Sequence, residues 1–87
     1  MGDDQEPEVD ASKAAYLYMQ VADHLAWQIT VGRLQPGARL AGERELADEY
    51  GIAIGTMRRA VQELRDRGLA VTLPAKGTFI AEPPTGA

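Results

Sequence analysis

The chain has no cysteine, which removes disulfide staples and thiolate metal sites together. One histidine is too few for a structural zinc site. Aromatic residues are scarce: one phenylalanine, one tryptophan and three tyrosines. Leucine, isoleucine, valine and alanine must therefore fill the interior. No run of ~18 apolar residues exists, and residues 1–11 are acidic and polar, so neither a spanning helix nor a secretory signal is expected. Also missing are a Ser/His/Asp constellation, a metal-ligand cluster and a glycine-rich phosphate loop. The expectation is a soluble cytoplasmic chain that is not an enzyme and takes no metal or cofactor.

Positive charge is short as well. Nine bases face 13 acids, for a formal net charge of -4. The deficit is local. Asp3, Asp4, Glu6, Glu8 and Asp10 stand in a stretch with no base, and without those five the chain has nine bases against eight acids. Arg58, Arg59, Arg65, Arg67 and Lys76 gather in the second half. For docking onto a polyanion, a local basic face matters more than the total.

Eighty-seven residues with 45% hydrophobic content suit one small domain. Three parts are expected: an acidic, solvated and disordered leader over 1–10, a folded domain over 11–81, and an end or severed linker over 82–87. A first helix is expected over 11–31, with Ser12 as a candidate cap. Tyr18, Val21, Ala22, Leu25 and Ile29 form its core stripe. Leu17 and Trp27 stand outside the centre of that stripe, and Trp27 is expected to be half covered. They are the candidate homodimer contacts. His24 reads as a solvated helix residue.

The centre of the chain runs from Leu34 to Arg67. Pro36-Gly37 makes a turn, and residues 39–41 suit a very short strand. A helix over 43–50 follows, with Leu46, Ala47 and Tyr50 on its apolar side. Gly42 starts it without a capping oxygen, and Glu43 and Glu45 compensate in part through the helix dipole. Gly51 breaks that helix in a left-handed position, and Ile52 plugs the gap. A second helix begins near Ala53 or Ile54 and stops at Gly68. Its stripe is Met57, Ala60, Val61 and Leu64. The polar side near its start offers Thr56, Arg58, Arg59 and Gln62, side chains suited to phosphates and base edges. Two helices joined by such a turn form a helix-turn-helix pattern, whose second helix enters a major groove.

Beyond Gly68, Leu69, Val71 and Leu73 alternate with Ala70 and Thr72, which predicts a half-buried strand with the larger residues inward. Residues 74–77 break it, and 78–80 resume extended character. Two such strands cannot stand alone, but packed on three helices they make a wing with Lys76 at its tip. The fold class is mainly α with a small β wing: three helices and a two- or three-stranded antiparallel sheet. Leu25, Leu46, Val61, Leu64 and Val71 are the expected core.

The segments YMQVADHLAWQITVGRLQPGARL, ERELADEYG, TMRRAVQELRDRGL and KGTFI occur in that order without large insertions. Together they resemble the winged helix-turn-helix domain of the GntR family of bacterial transcription regulators, over about residues 14–81. The resemblance implies roles. Arg44 resembles an arginine that approaches the DNA backbone and groove. Thr56 resembles a recognition-helix threonine on DNA, and Arg58 an arginine on phosphate or base. Lys76 and Gly77 resemble a wing tip that enters the minor groove in some members.

Four departures accompany it. Ala41-Gly42 stands where the family usually has Pro-Ser, and Ala53 replaces a capping serine or threonine, a loss of typically ~1 kcal/mol. Ile54 stands where many members carry a DNA-reading arginine. Isoleucine offers a thymine-methyl contact or inward packing, not a bidentate grip on guanine. Ala75 replaces a common wing glycine. The C-terminal metabolite-binding and dimerising domain of most members is not in this sequence, which fits either an excised domain or a minimal regulator. The expected function is a sequence-specific regulator binding double-stranded DNA, a repressor working as a dimer on a palindromic operator. The alternative is a protein-interaction winged-helix domain that has lost DNA binding, motivated by Ala53, Ile54, the acidic leader and the near-neutral core.

Overall fold

A computed structural model of the chain describes residues 5–13 and 16–82. The element order is α1 (Leu17–Thr30), α2 (Glu43–Tyr50), α3 (Ile54–Asp66), β1 (Ala70–Leu73) and β2 (Gly77–Ile80). Helix α3 is the central element: it packs on α1, α2 and β1. Its stripe of Met57, Ala60, Val61 and Leu64 is fully buried. Val21, Ala22 and Leu25 meet it from α1, Leu46 and Ala47 from α2, and Leu40, Ala70 and Ile80 from the strand side. Spacings of three and four residues turn these side chains to one face of each helix, which is why the sequence pattern reads directly as a core.

The turn between α2 and α3 has the expected geometry. Gly51 takes φ 67 and ψ 36, and its N–H reaches the carbonyl of Asp48. Its left-handed backbone ends α2 and lets the chain reverse within two residues. Gly42 and Ala53 precede α2 and α3 in extended conformations, and neither supplies a side-chain cap. Ile52 and Ile54 are half-buried against the core. Ile54 therefore packs inward, one of the two outcomes its chemistry allowed.

Helix α1 starts at Leu17, six residues later than expected. Ser12 does not cap it. Its N–H and hydroxyl instead donate to the Asp10 carboxylate, at 3.0 and 2.6 Å. That pair holds the Asp10 carboxyl below its usual range. In the leader, residues 1–4 lie outside the described residues, whereas 5–10 make contacts. Asp10 N–H donates to Gln20 Oε1 at 2.7 Å, Val9 packs on the core, and Glu6 reaches His24. Pro83 to Ala87, the expected tail, lie outside the described residues.

The wing is a two-stranded antiparallel sheet with register Ala70↔Ile80, Val71↔Phe79, Thr72↔Thr78 and Leu73↔Gly77. The segment before α2 adds to its other edge. Arg39 bridges Phe79, Leu40 N–H donates to Thr78 O, and Ile80 N–H donates to Ala38 O. The expected phase of β1 is wrong. Ala70 is buried, while Val71 is 47% and Leu73 43% exposed. Alternation leaves one face for residues 70 and 72. At that face α3 lies close, Ala70 fills the narrow space, and its cross-strand partner Ile80 supplies the volume. Val71 therefore leaves the predicted core; Leu25, Leu46, Val61 and Leu64 are in it.

Candidate nucleic-acid interface

The start of α3 stands beside the start of α2. Arg58 Nε approaches Glu43 Oε1 at 3.3 Å, an exposed pair that links the two helices. Arg44, next to Glu43, is exposed on the first turn of α2. Thr56 is partly covered one turn before Ala60, and Gly55 beside it is open: a Cβ there would meet nothing within 4 Å. Thr56, Arg58 and Arg44 thus share one end of the helix pair.

Arg59 leaves that group. Its guanidinium lies 4.0 Å from the centroid of the Tyr18 ring on α1, a cation–π contact. Gln62 is further along α3 and already engaged. Its amide nitrogen donates to Asp66 Oδ1 at 3.0 Å, and its oxygen accepts from Arg65 Nη2 at 2.8 Å. Lys76 is exposed at the hairpin tip, where its N–H donates to Leu73 O at 3.0 Å. Ala75 turns that tip at φ 64, in the region that favours glycine. Gly77, at φ 122, makes room for Arg39: a Cβ on it would stand 2.7 Å from Arg39 Nε.

Two arginines outside the expected set complete this side. Arg39 Nε donates to the Lys76 carbonyl at 3.1 Å. Arg65 Nη1 donates to Thr72 Oγ1 at 2.7 Å, and Thr72 Oγ1 lies 2.9 Å from Thr78 Oγ1. Both arginines line a groove of about 440 Å³ between α3 and the wing.

The gntR family of bacterial regulatory proteins matches residues 17–80. The chain belongs to this family. The GntR match extends over α1 to the last wing strand, so these five elements make up the family's DNA-binding regulatory domain rather than a catalytic one. The HTH-type transcriptional regulator SmoD of Agrobacterium fabrum is 42% identical over 64 residues, covering 74% of this chain and 27% of the relative. The HTH-type transcriptional repressor NagR of Bacillus subtilis is 40% identical over 67 residues, covering 77% and 28%. Among solved structures, YtrA from Sulfolobus acidocaldarius, a GntR-family transcription factor, superposes with a TM-score of 0.78 at 28% identity, over 92% of this chain and 84% of that one. The DNA-binding domain of AraR, solved in complex with operator ORR3, has a TM-score of 0.69 at 31% identity, over 74% and 77%. The chain spans under a third of the length of the first of its curated relatives, SmoD and NagR.

On the opposite flank the GntR fold carries a polar network that helix periodicity did not reveal. His24 is only 15% exposed at its side chain, not the solvated residue expected. Its Nε2 is 2.6 Å from Glu6 Oε2, and its Nδ1 is 2.6 Å from the Tyr50 hydroxyl. Glu6 can only accept, so His24 donates from Nε2, and in the neutral ring Nδ1 accepts from Tyr50. Gln28 Nε2 donates to the same hydroxyl at 3.0 Å. Burial pushes the Tyr50 phenol up to about 12, against the opposing bond from Gln28. Trp27 is half-buried, 5.6 Å from the His24 ring and 4.7 Å beneath the Arg33 guanidinium. Leu17 is partly buried against the chain's own core. Among the described residues there is no cluster that could hold a metal, and no helix long and apolar enough to cross a membrane.

Proposed function

We propose that this chain reads operator DNA as part of a cytoplasmic transcription regulator, a repressor that works as a homodimer on a palindromic site. The observation that carries the reading is the shared end of α2 and α3, where Arg44, Thr56 and Arg58 stand together beside a wing tipped by Lys76 and Gly77. Inserted by its start, α3 presents Thr56 and Arg58 to base edges, Arg44 grips a strand from the side, and Lys76 holds the wing to the backbone. Arg59 and Gln62 have a smaller part, since Tyr18, Arg65 and Asp66 already engage them.

The repressor reading is supported by NagR, named a transcriptional repressor, and the operator reading by the AraR domain, solved on operator DNA. The dimer is supported by the two-fold symmetry of helix-turn-helix sites. Its candidate contact is α1 through Leu17 and Trp27, which are partly rather than fully covered by their own domain.

Duplexes selected from a random pool, titrated at several salt concentrations against scrambled versions, test the reading. Preference for a two-fold-related sequence, with two chains per duplex by sedimentation, is the expected result. The inward packing of Ile54 favours a second reading, a protein-interaction domain. No retention on any duplex at low salt selects that reading, because DNA binding through phosphates strengthens as salt falls.

A further inference from the structure

The groove between α3 and the wing gathers hydrogen-bond donors without matching acceptors. Arg39 uses Nε on the Lys76 carbonyl, and among the described residues its two terminal nitrogens make no hydrogen bond. Arg65 spends Nη1 on Thr72 and Nη2 on Gln62, and its Nε makes none among the described residues. Thr72 and Thr78 have two hydroxyl hydrogens and share one bond, so one hydrogen is left to donate. No carboxylate lies within ion-pair distance of Arg39 or Arg65 among the described residues. The one acid on the groove wall, Glu43, is engaged by Arg58.

This contrasts with Arg67, which is held by Asp23 at 2.8 Å and Glu63 at 2.9 Å. A site with two unneutralised guanidiniums and a spare hydroxyl suits a tetrahedral anion with several acceptor oxygens. Gly77 contributes by its lack of a side chain, since a Cβ would displace the Arg39 guanidinium.

We infer that this groove seats a backbone phosphate of duplex DNA, gripped by Arg39 and Arg65. The inference rests on the DNA-binding reading above. A helix in a major groove and a wing in the neighbouring minor groove must straddle the sugar-phosphate strand that separates the two grooves. That strand passes between α3 and the wing, over the side chains of Arg39, Arg65, Thr72 and Thr78. A phosphate there sets how far the wing stands from the recognition helix on DNA and carries no sequence information of its own.

The test compares the salt dependence of binding to the selected duplex and to a random-sequence duplex. Arg39→Ala and Arg65→Gln should each reduce the slope of log K against log salt by about one unit, on both duplexes. Arg39→Lys keeps the cation and should keep the slope. Arg33→Ala, a cation stacked on Trp27 and absent from the groove, should also keep it. Wild-type slopes for Arg39→Ala and Arg65→Gln would overturn the inference while leaving DNA binding intact. So would a slope lost equally in Arg39→Lys and Arg39→Ala, because the role would then be only to hold the Lys76 carbonyl. A titration of the free protein with inorganic phosphate completes the test. Saturable binding abolished by Arg39→Ala, together with wild-type salt slopes on DNA for that variant, would make the groove a free-anion site instead. A wild-type chain that binds no duplex would fail the function reading first, and the inference with it.

Discussion

The two sides of this domain treat charge in opposite ways. On the flank made by α1, the end of α2 and residues 5–10, polar groups close on one another. His24 is shared between Glu6 and Tyr50, and Arg67, at the end of α3, is clamped between Asp23 of α1 and Glu63. On the side made by α2's first turn, the groove face of α3 and the wing, Arg58 pairs with Glu43, while Arg39, Arg44, Arg65 and Lys76 have no carboxylate within ion-pair distance among the described residues. A closed network stabilises its own fold, whereas an open one keeps its donors for something that binds. A chain with net charge -4 can in this way present a basic surface where it docks.

The sharpest ways to break the contrast begin beneath both sides. Leu64 is fully buried where α3 supports the whole domain. Leu64→Ala should cost ~2–5 kcal/mol by lost transfer energy and the cavity left behind. A chemical-denaturation midpoint reads this, and a loss of that size can unfold a domain this small. An unchanged midpoint would remove α3 from the centre of the core.

Arg58→Ala attacks the open side. It should cost ~1–3 kcal/mol in discrimination between the selected and scrambled duplexes. Equal losses on both would place Arg58 on phosphate. Arg67→Ala attacks the closed side and should lower stability by about 1 kcal/mol through two partly exposed ion pairs, with DNA affinity unchanged. A loss of affinity there without a loss of stability would erase the distinction between the sides. Lys76→Ala is milder: both duplexes should weaken alike, with the salt slope lower by about one unit.

An effect confined to high pH belongs to Tyr50. Its folded pKa is raised from 10.0 to about 12, so the folded state holds the proton more tightly. The stabilisation is complete below pH 10 and is lost as pH rises from 10 to 12. Tyr50→Phe should flatten the unfolding free energy across that window, and persistence of the wild-type fall would point to another group.

The helical part of this contrast was legible in the sequence because it is periodic. Met57, Ala60, Val61 and Leu64 lie within eight residues, and Gly51 marks the turn by a chemistry that few residues share. The strand β1 was less legible. Its larger residues alternate as a buried face would, yet proximity to α3 selects the smaller Ala70. The partners of His24 were hidden for another reason: Glu6 and Tyr50 are 18 and 26 positions away. Arg39 acts on a carbonyl 37 positions distant. Spacing rules describe neighbours on one element and say nothing of side chains that meet across the fold. Arg44, Thr56 and Arg58 stand near the helix starts that the motif marks, and their role on DNA belongs to the proposal above.

The angle between α2 and α3 turns on a single residue whose requirement is one of chirality. A Cβ on Gly51 would meet nothing within 4 Å, so space is not what excludes a side chain. The backbone there sits in the mirror image of the ordinary helical quadrant, which costs L-residues roughly 1–2 kcal/mol and asparagine least. That penalty has the opposite sign for a residue of the opposite hand. A D-amino acid introduced at position 51 by chemical synthesis should therefore favour the bend, and should stiffen the unfolded chain in a way glycine never can.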